Sequence, residues 1–228
     1  IIFKGPFTKQ IKKKNNSVIN LLKNLRKLGL ISSYYSVKIT KNIPVFSGLG
    51  GGTSNAAFLL KYLLKGKTNK NLLIKLEKII GSDLKLFFKK QGFQKDLKTI
   101  INLKINQRLY FLLIKPKIKC STKEVYSKVN KFSRREKFNK NTIKSSKEFI
   151  EYLSKNRNDL QFIVEKKYPI INRILTDISN ENGCYFSRMT GSGSVCYGLF
   201  SNQLLAKKAI VKLKKEYPKF WISLAKTV

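Results

Sequence analysis

A run of glycines opening onto a helix constrains this chain more than any other stretch: Pro44-Val-Phe-Ser-Gly-Leu-Gly-Gly-Gly-Thr-Ser-Asn-Ala-Ala57. Gly48, Gly50, Gly51 and Gly52 permit positive φ and close backbone approach, and the apolar, alanine-containing segment after them reads as a helix. A helix N-terminus presents unpaired N–H groups and the positive end of its dipole. The loop therefore reads as a cradle for phosphate, with Thr53 and Ser54 adding hydroxyl donors. No lysine follows the last glycine, so the Walker pattern G-x-x-x-x-G-K-[ST] is not met and another kind of phosphate binder is expected. A purely structural tight turn would use the same glycines.

Around this loop the chain reads as α+β. Residues 1–11 begin strand-like and turn basic; a helix capped by Asn15 or Asn16 carries Val18, Ile19, Leu22, Leu25 and Leu28 and ends at Gly29. Tyr35, Val37 and Ile39 alternate with polar residues as a half-buried strand closed by Pro44. The helix after the loop is expected over 53–65, and Thr68 is expected to cap another with Leu72, Leu73, Leu76, Ile79 and Ile80 on one face. Further along, strands are expected at 97–103 and 108–115, then helices at 122–131, 145–155, 158–167 and 169–180. A short strand at 184–188, a second glycine turn, a strand at 194–200, a helix at 202–216 and a last strand through Trp221 complete the chain. Strands mixed with helix pairs, without strict βαβ repetition, argue against a doubly wound sheet. Residues 131–147 are polar and charge-rich, as a long connection or insertion would be. A length of 228 residues accommodates one large domain or two modest ones.

The chain has no histidine, so general base work falls to a carboxylate, Lys, Tyr or Cys, and there are only 12 carboxylates. Glu77, Glu124, Glu136, Glu148, Glu151, Glu165, Glu181 and Glu216 lie among lysines in helical or polar stretches, where solvated ion pairs are expected. Asp83 differs, following Gly81-Ser82 and entering the apolar run Leu84, Leu86, Phe87, Phe88. It reads either as the cap of the next helical turn or as a catalytic carboxylate. Three widely spaced cysteines without histidine suggest neither a disulfide framework nor a zinc site, and fit a reducing compartment. The net charge of +36 invites a nucleic-acid partner, but only seven of the 48 basic residues are Arg, and the aromatics sit in apolar runs. A solvated lysine-rich surface is expected instead, one that still attracts acidic ATP. No apolar run approaches the roughly 20 residues of a membrane span, and no signal-peptide pattern is found, so a cytoplasmic protein is expected.

Read together, Ile43-Pro-x-x-x-Gly-Leu-Gly-Gly-Gly-Thr-Ser-Asn-Ala-Ala57 resembles the second motif of the GHMP kinases. Three further segments follow in that family's order. Gly81-Ser-Asp-Leu-Lys-Leu-Phe-Phe88 resembles its Gly-Ala-Asp-Val-Pro-Phe-Phe, Asn158-Asp-Leu160 with Tyr168-Pro169 its domain-two helix, and Arg188-Met-Thr-Gly-Ser-Gly-Ser194 its third motif. Cys120-Ser-Thr-Lys-Glu-Val-Tyr126 is similar to the substrate segment of the branch that phosphorylates 4-diphosphocytidyl-2-C-methylerythritol in the non-mevalonate isoprenoid pathway.

The resemblance implies a GHMP kinase fold: an N-terminal ATP-binding domain over 1–105, similar to the second domain of ribosomal protein S5 and lacking its first strands, and a ferredoxin-like domain over 106–228, with the active site in the cleft. It implies ATP and Mg²⁺ as cofactors and Asp83 as the base that takes the proton of the substrate hydroxyl. Gly48, Leu49, Gly50, Gly51, Gly52, Thr53 and Ser54 would hold the phosphates, Ser54 being the candidate toward the metal, whose ligands are otherwise unassigned. Lys41 and Asn16 would lie near the adenosine, although a surface lysine and a helix cap fit those positions equally. Thr122 would sit at the sugar-phosphate end of the substrate, Tyr126 would stack on cytosine or else belong to a helix core, and Gly191 and Gly193 would close the site. Homoserine or mevalonate-type kinases are the alternatives within the superfamily; a basic RNA-associated protein with an S5-like fold, or an inactive remnant, are those outside it.

The family's opening strand, Pro-Ala-Lys-Ile-Asn-Leu, has no match in these residues, and the chain begins with Ile. An incomplete chain is therefore expected, with binding better retained than turnover. Lys85 stands where the family has proline, and the glycines that usually follow are not found around 94–99.

Overall fold

Asn16 starts the first helix by a direct side-chain cap. Its Oδ1 accepts from the Val18 N–H at 2.9 Å, and α1 (Ser17–Lys27) then buries Val18, Leu21 and Leu25. Gly29, at φ +68°, ends it: the Leu30 N–H reaches the Leu25 carbonyl and the Gly29 N–H reaches that of Arg26, both at 2.9 Å. The computed structural model describes residues 1–11, 16–103, 108–133 and 145–227. The chain divides into two units, Ile1–Val45 with Gly50–Lys104, and Phe46–Leu49 with Ile105–Val228.

In the first unit α1 packs with α2 (Gly51–Leu63), α3 (Lys70–Ile80) and a 3-10 helix (Leu84–Phe88). Leu21, Leu25, Leu60, Leu76 and Leu84 are fully buried around Ala56 and Ala57, whose small side chains let the helices approach closely. Two small sheets complete this unit. β1 (Ile2–Lys4) pairs in parallel with β2 (Lys38–Thr40), and β3 (Gly92–Gln94) pairs antiparallel with β4 (Ile100–Asn102).

The second unit is built on a four-stranded antiparallel sheet of β5 (Tyr110–Lys115), β6 (Cys184–Met189), β7 (Cys196–Phe200) and β8 (Trp221–Lys226), in the order β6-β7-β5-β8. Between β5 and β6 run α4 (Thr122–Ser127), α5 (Ser146–Lys155), α6 (Gln161–Lys167) and α7 (Ile170–Ser179); α8 (Gln203–Glu216) links β7 to β8. This β-α-β-β-α-β order is ferredoxin-like. Alternate residues of β5, Leu112 and Ile114, are fully buried beneath Ile171, Ile174 and Ile178 of α7 and Ala206, Ala209 and Leu213 of α8.

Several expectations shift. The phosphate-loop helix begins at Gly51, not at 53, because Gly50 takes the cap position at φ +62°. Asn69, not Thr68, caps α3, its Oδ1 accepting from the Leu72 N–H at 2.8 Å. The strand read from Tyr35 to Ile39 is confined to Lys38–Thr40, and that read at 97–103 is the second arm of a hairpin whose first arm, β3, lies in a stretch of mixed polarity. The helix expected to reach 131 stops at Ser127, and the last strand starts at Trp221 instead of passing through it. Glu77 is not solvated: it forms a buried ion pair with Lys85 at 2.9 Å. Asn15 and most of the 131–147 connection lie outside the described residues.

Candidate active site

In the first unit the glycine run becomes the first turn of α2. The Ser54 N–H is the first to find a helical acceptor, the Gly50 carbonyl at 2.8 Å. The N–H groups of Gly51, Gly52 and Thr53 precede it and find no acceptor among the described residues. The Ser54 hydroxyl donates to the Gly51 carbonyl at 3.2 Å, leaving its lone pairs open.

Neighbouring segments press against this turn where glycine leaves room. A methyl on Gly51 would lie 3.5 Å from Lys41 Nζ, one on Gly52 would lie 3.2 Å from Ser17 Oγ, and one on Gly50 would lie 2.9 Å from the Phe87 ring. Lys41 is only 8% exposed, and its ammonium makes no hydrogen bond or ion pair among the described residues. Burial pushes the pKa of its ammonium down. A desolvated cation beside the positive end of a helix is an electrostatic arrangement that an anion completes. Asn16 accepts the α1 capping bond through Oδ1, which leaves its amide N–H₂ and one lone pair for other contacts.

The Asp83 segment approaches the same turn. Gly81 has φ +139°, and a methyl there would stand 3.1 Å from Thr53 Oγ1. Asp83 occupies the cap position of the 3-10 helix, yet its side chain makes no capping bond. Its carboxylate is exposed and accepts from the Ser82 hydroxyl at 3.3 Å. The side chain therefore does not serve the cap that local sequence allowed.

In the second unit Phe46–Leu49, upstream of α2, packs on the β6–β7 turn. Thr190 Oγ1 donates to the Gly48 carbonyl at 3.0 Å, and the Val195 N–H donates to that of Ser47 at 3.3 Å. The fit admits only glycine, since a methyl on Gly48 would meet the Thr190 carbonyl at 2.3 Å and one on Gly193 would meet Met189 Sδ at 2.8 Å. Asn158 clamps this turn, its amide donating to the carbonyls of Met189 and Gly191, both at 2.8 Å. Thr122 Oγ1 lies 2.8 Å from Ser192 Oγ. Tyr126, 53% exposed on α4, is not a core residue; Val125 is the buried one.

The second unit thus gathers Gly48, Thr122, Gly191 and Gly193, with Tyr126 one helical turn beyond Thr122, while the first gathers Lys41, Gly50 to Ser54 and Gly81, two residues before Asp83, with Asn16 next to Ser17. Sequence reasoning passed over Ser17 and Ser192, and it recognised the Asn-Asp-Leu segment without the clamp that Asn158 forms. Hydroxyls flanking a cap and a glycine were the only available signals.

Comparison with known proteins agrees in both halves. The profile of the GHMP kinases N terminal domain matches residues 16–85, and that of the GHMP kinases C terminal matches residues 135–219. A 4-diphosphocytidyl-2-C-methyl-D-erythritol kinase of Pelagibacter ubique is 33% identical, over 100% of this chain and 82% of that protein. One from Wolbachia pipientis wMel is 29% identical, over 93% of this chain and 75% of its own length. Among solved structures, a 4-(cytidine 5'-diphospho)-2C-methyl-D-erythritol kinase superposes with a TM-score of 0.68 at 22% identity, covering 98% of this chain and 81% of that one. Homoserine kinase from Cytophaga hutchinsonii superposes with a TM-score of 0.70 at 16% identity, covering 100% and 81%; at such identities these two establish the fold. With both profiles matched in order and a relative one third identical over the whole of this chain, the chain belongs to the GHMP kinases, in the family of 4-diphosphocytidyl-2-C-methyl-D-erythritol kinases.

Proposed function

We propose that this chain catalyses ATP-dependent phosphorylation of the 2-hydroxyl of 4-diphosphocytidyl-2-C-methyl-D-erythritol, a step of the non-mevalonate route to isoprenoid precursors. The observation that carries the chemistry is the meeting of three groups at the start of α2: the N–H donors of Gly51, Gly52 and Thr53 and the buried Lys41 ammonium, none with a partner among the described residues, and the Asp83 segment held against Thr53. The first two fit a polyphosphate; the third fits a base beside it.

Phosphoryl transfer requires in-line placement and stabilisation of the charge on the transferring group. Backbone N–H groups of the first turn would bind phosphate oxygens, and Lys41 would add a positive charge already stripped of water. Asp83 would accept the proton of the 2-hydroxyl as that oxygen bonds to the γ-phosphorus; the bond from that phosphorus to the β-bridging oxygen breaks, and ADP leaves. Tyr126 offers an exposed ring face for cytosine, and Thr122 with Ser192 offers hydroxyls to the diphosphate end.

Mg²⁺ would be held mainly by ATP oxygens with the open lone pairs of Ser54 Oγ, because the described residues contain no cluster of three or more His, Cys, Asp or Glu. When bound it would neutralise phosphate charge.

The test is product formation by the protein expressed from its complete reading frame. Mass spectrometry should find one added phosphate on the cytidylylated substrate with ATP, and none on homoserine or mevalonate. Phosphorylation of either of those two in place of the cytidylylated compound would reject the substrate assignment.

A further inference from the structure

The Asp83 carboxylate has little holding it in place besides its backbone. Among the described residues its side chain caps nothing and accepts only the Ser82 hydroxyl, at 3.3 Å, so its direction is set by the chain from Gly81 into the 3-10 helix. That helix is tied down from behind by Lys85, two residues on. Lys85 is 9% exposed; its ammonium lies 2.9 Å from Glu77 Oε2 near the end of α3 and donates to the Leu97 carbonyl in the β3–β4 connection. One side chain thus joins three elements. The other oxygen of Glu77, Oε1, is buried without a hydrogen-bond partner among the described residues, so the charge of this carboxylate depends on Lys85. A half-satisfied buried pair is weak support for stability, because apolar side chains of similar size can replace such a pair at little cost. What such a pair can do is fix the orientation of the turn it ties down.

We propose that Glu77 and Lys85 are positioning residues for the phosphoryl transfer, holding the 3-10 helix so that Asp83 meets the substrate hydroxyl. This rests on Asp83 being the base, as proposed above. Lys85, at the position where the motif it resembles has proline, restrains this turn by an ion pair.

The experiment compares E77L/K85M, E77Q, K85R and Asp83→Ala in the same kinase assay, with thermal melts of each. E77L/K85M should fold, melt near the wild-type temperature and keep the KM for ATP within about twofold. Its kcat should fall by about tenfold to a hundredfold, the scale on which small misplacements of a reacting group act. K85R, which keeps the charge and can reach both partners, should retain more than about a third of kcat. Wild-type kcat in a folded E77L/K85M overturns the proposal, and so does K85R falling as far as the double variant. If E77L/K85M fails to fold, E77Q decides: lowered kcat at unchanged KM supports the proposal, unchanged kcat overturns it. Asp83→Ala separates the two readings. If it turns over normally, the function proposed for Asp83 fails; if it is inactive while E77L/K85M is unimpaired, only the positioning role fails.

Discussion

Replacing Asn158 should weaken the second unit by an amount the structure lets us work out. Asn158→Ala removes the amide bonds to the Met189 and Gly191 carbonyls, both 2.8 Å, and the acceptor of the Leu160 N–H at 3.0 Å. A typical bond of this kind contributes about 1 kcal/mol net, less where water can replace it. The Gly191 bond is exposed and the other two are half-buried, so the sum is about 2 kcal/mol. Trp221, the only tryptophan, lies in β8 of the same unit and reports its unfolding by fluorescence. With a urea dependence of about 2 kcal/mol per molar, the midpoint should fall by about 1 M. Asn158→Asp is the sharper probe. It keeps the acceptor for Leu160 but turns a carboxylate oxygen toward two carbonyl oxygens, so it should cost at least as much as alanine. An aspartate variant that unfolds with the wild type, or an alanine variant displaced by less than about 0.3 M, would refute the clamp.

Other perturbations have equally direct outcomes. Gly48→Ala should cost more than about 2 kcal/mol, because its methyl meets the Thr190 carbonyl at 2.3 Å in a left-handed conformation, whereas Gly29→Ala, with nothing within 4 Å, should show only the backbone term of about 1 kcal/mol; circular dichroism melts would compare them. Lys41→Met should leave the ligand-free protein at least as stable while weakening ATP binding by about tenfold in calorimetry; unchanged affinity would remove Lys41 from the phosphate site. The Ser133 hydroxyl and N–H, with Arg157, hold the Asp159 carboxyl below its ordinary range. Its stabilisation is therefore complete above about pH 5 and lost as pH falls through the lowered folded value, so Asp159→Asn should flatten the acid limb of melting temperature against pH, and an unaltered limb would contradict this.

Much of the scaffold was legible because it follows short-range rules. Asn16 before an apolar helix, Gly29 after it, and the alternation in β5 each announce themselves within a few residues. The candidate site was legible as types in order: glycines before a helix, and a carboxylate, Asp83, entering an apolar run. What stayed hidden depends on distant partners. Glu77 and Lys85 are separated by the turn at Gly81, so no helical spacing pairs them, and glutamate among lysines reads as solvated until Lys85 proves buried. The start of α2 was misplaced because glycine signals loop, although Gly51 and Gly52 are helical once Gly50 takes the left-handed cap. The packing of Gly48 on Thr190, 142 residues away, has no local trace at all.

The most direct test of the account is the turnover of 4-diphosphocytidyl-2-C-methyl-D-erythritol by Asp83→Asn, measured together with its affinity for ATP. The substitution keeps the shape of an exposed side chain that makes no capping bond, so folding and ATP affinity should be unchanged. Loss of the base should lower kcat by about a hundredfold or more. Turnover within a few fold of wild type, with ATP binding intact, would contradict the central claim that Asp83 takes the proton.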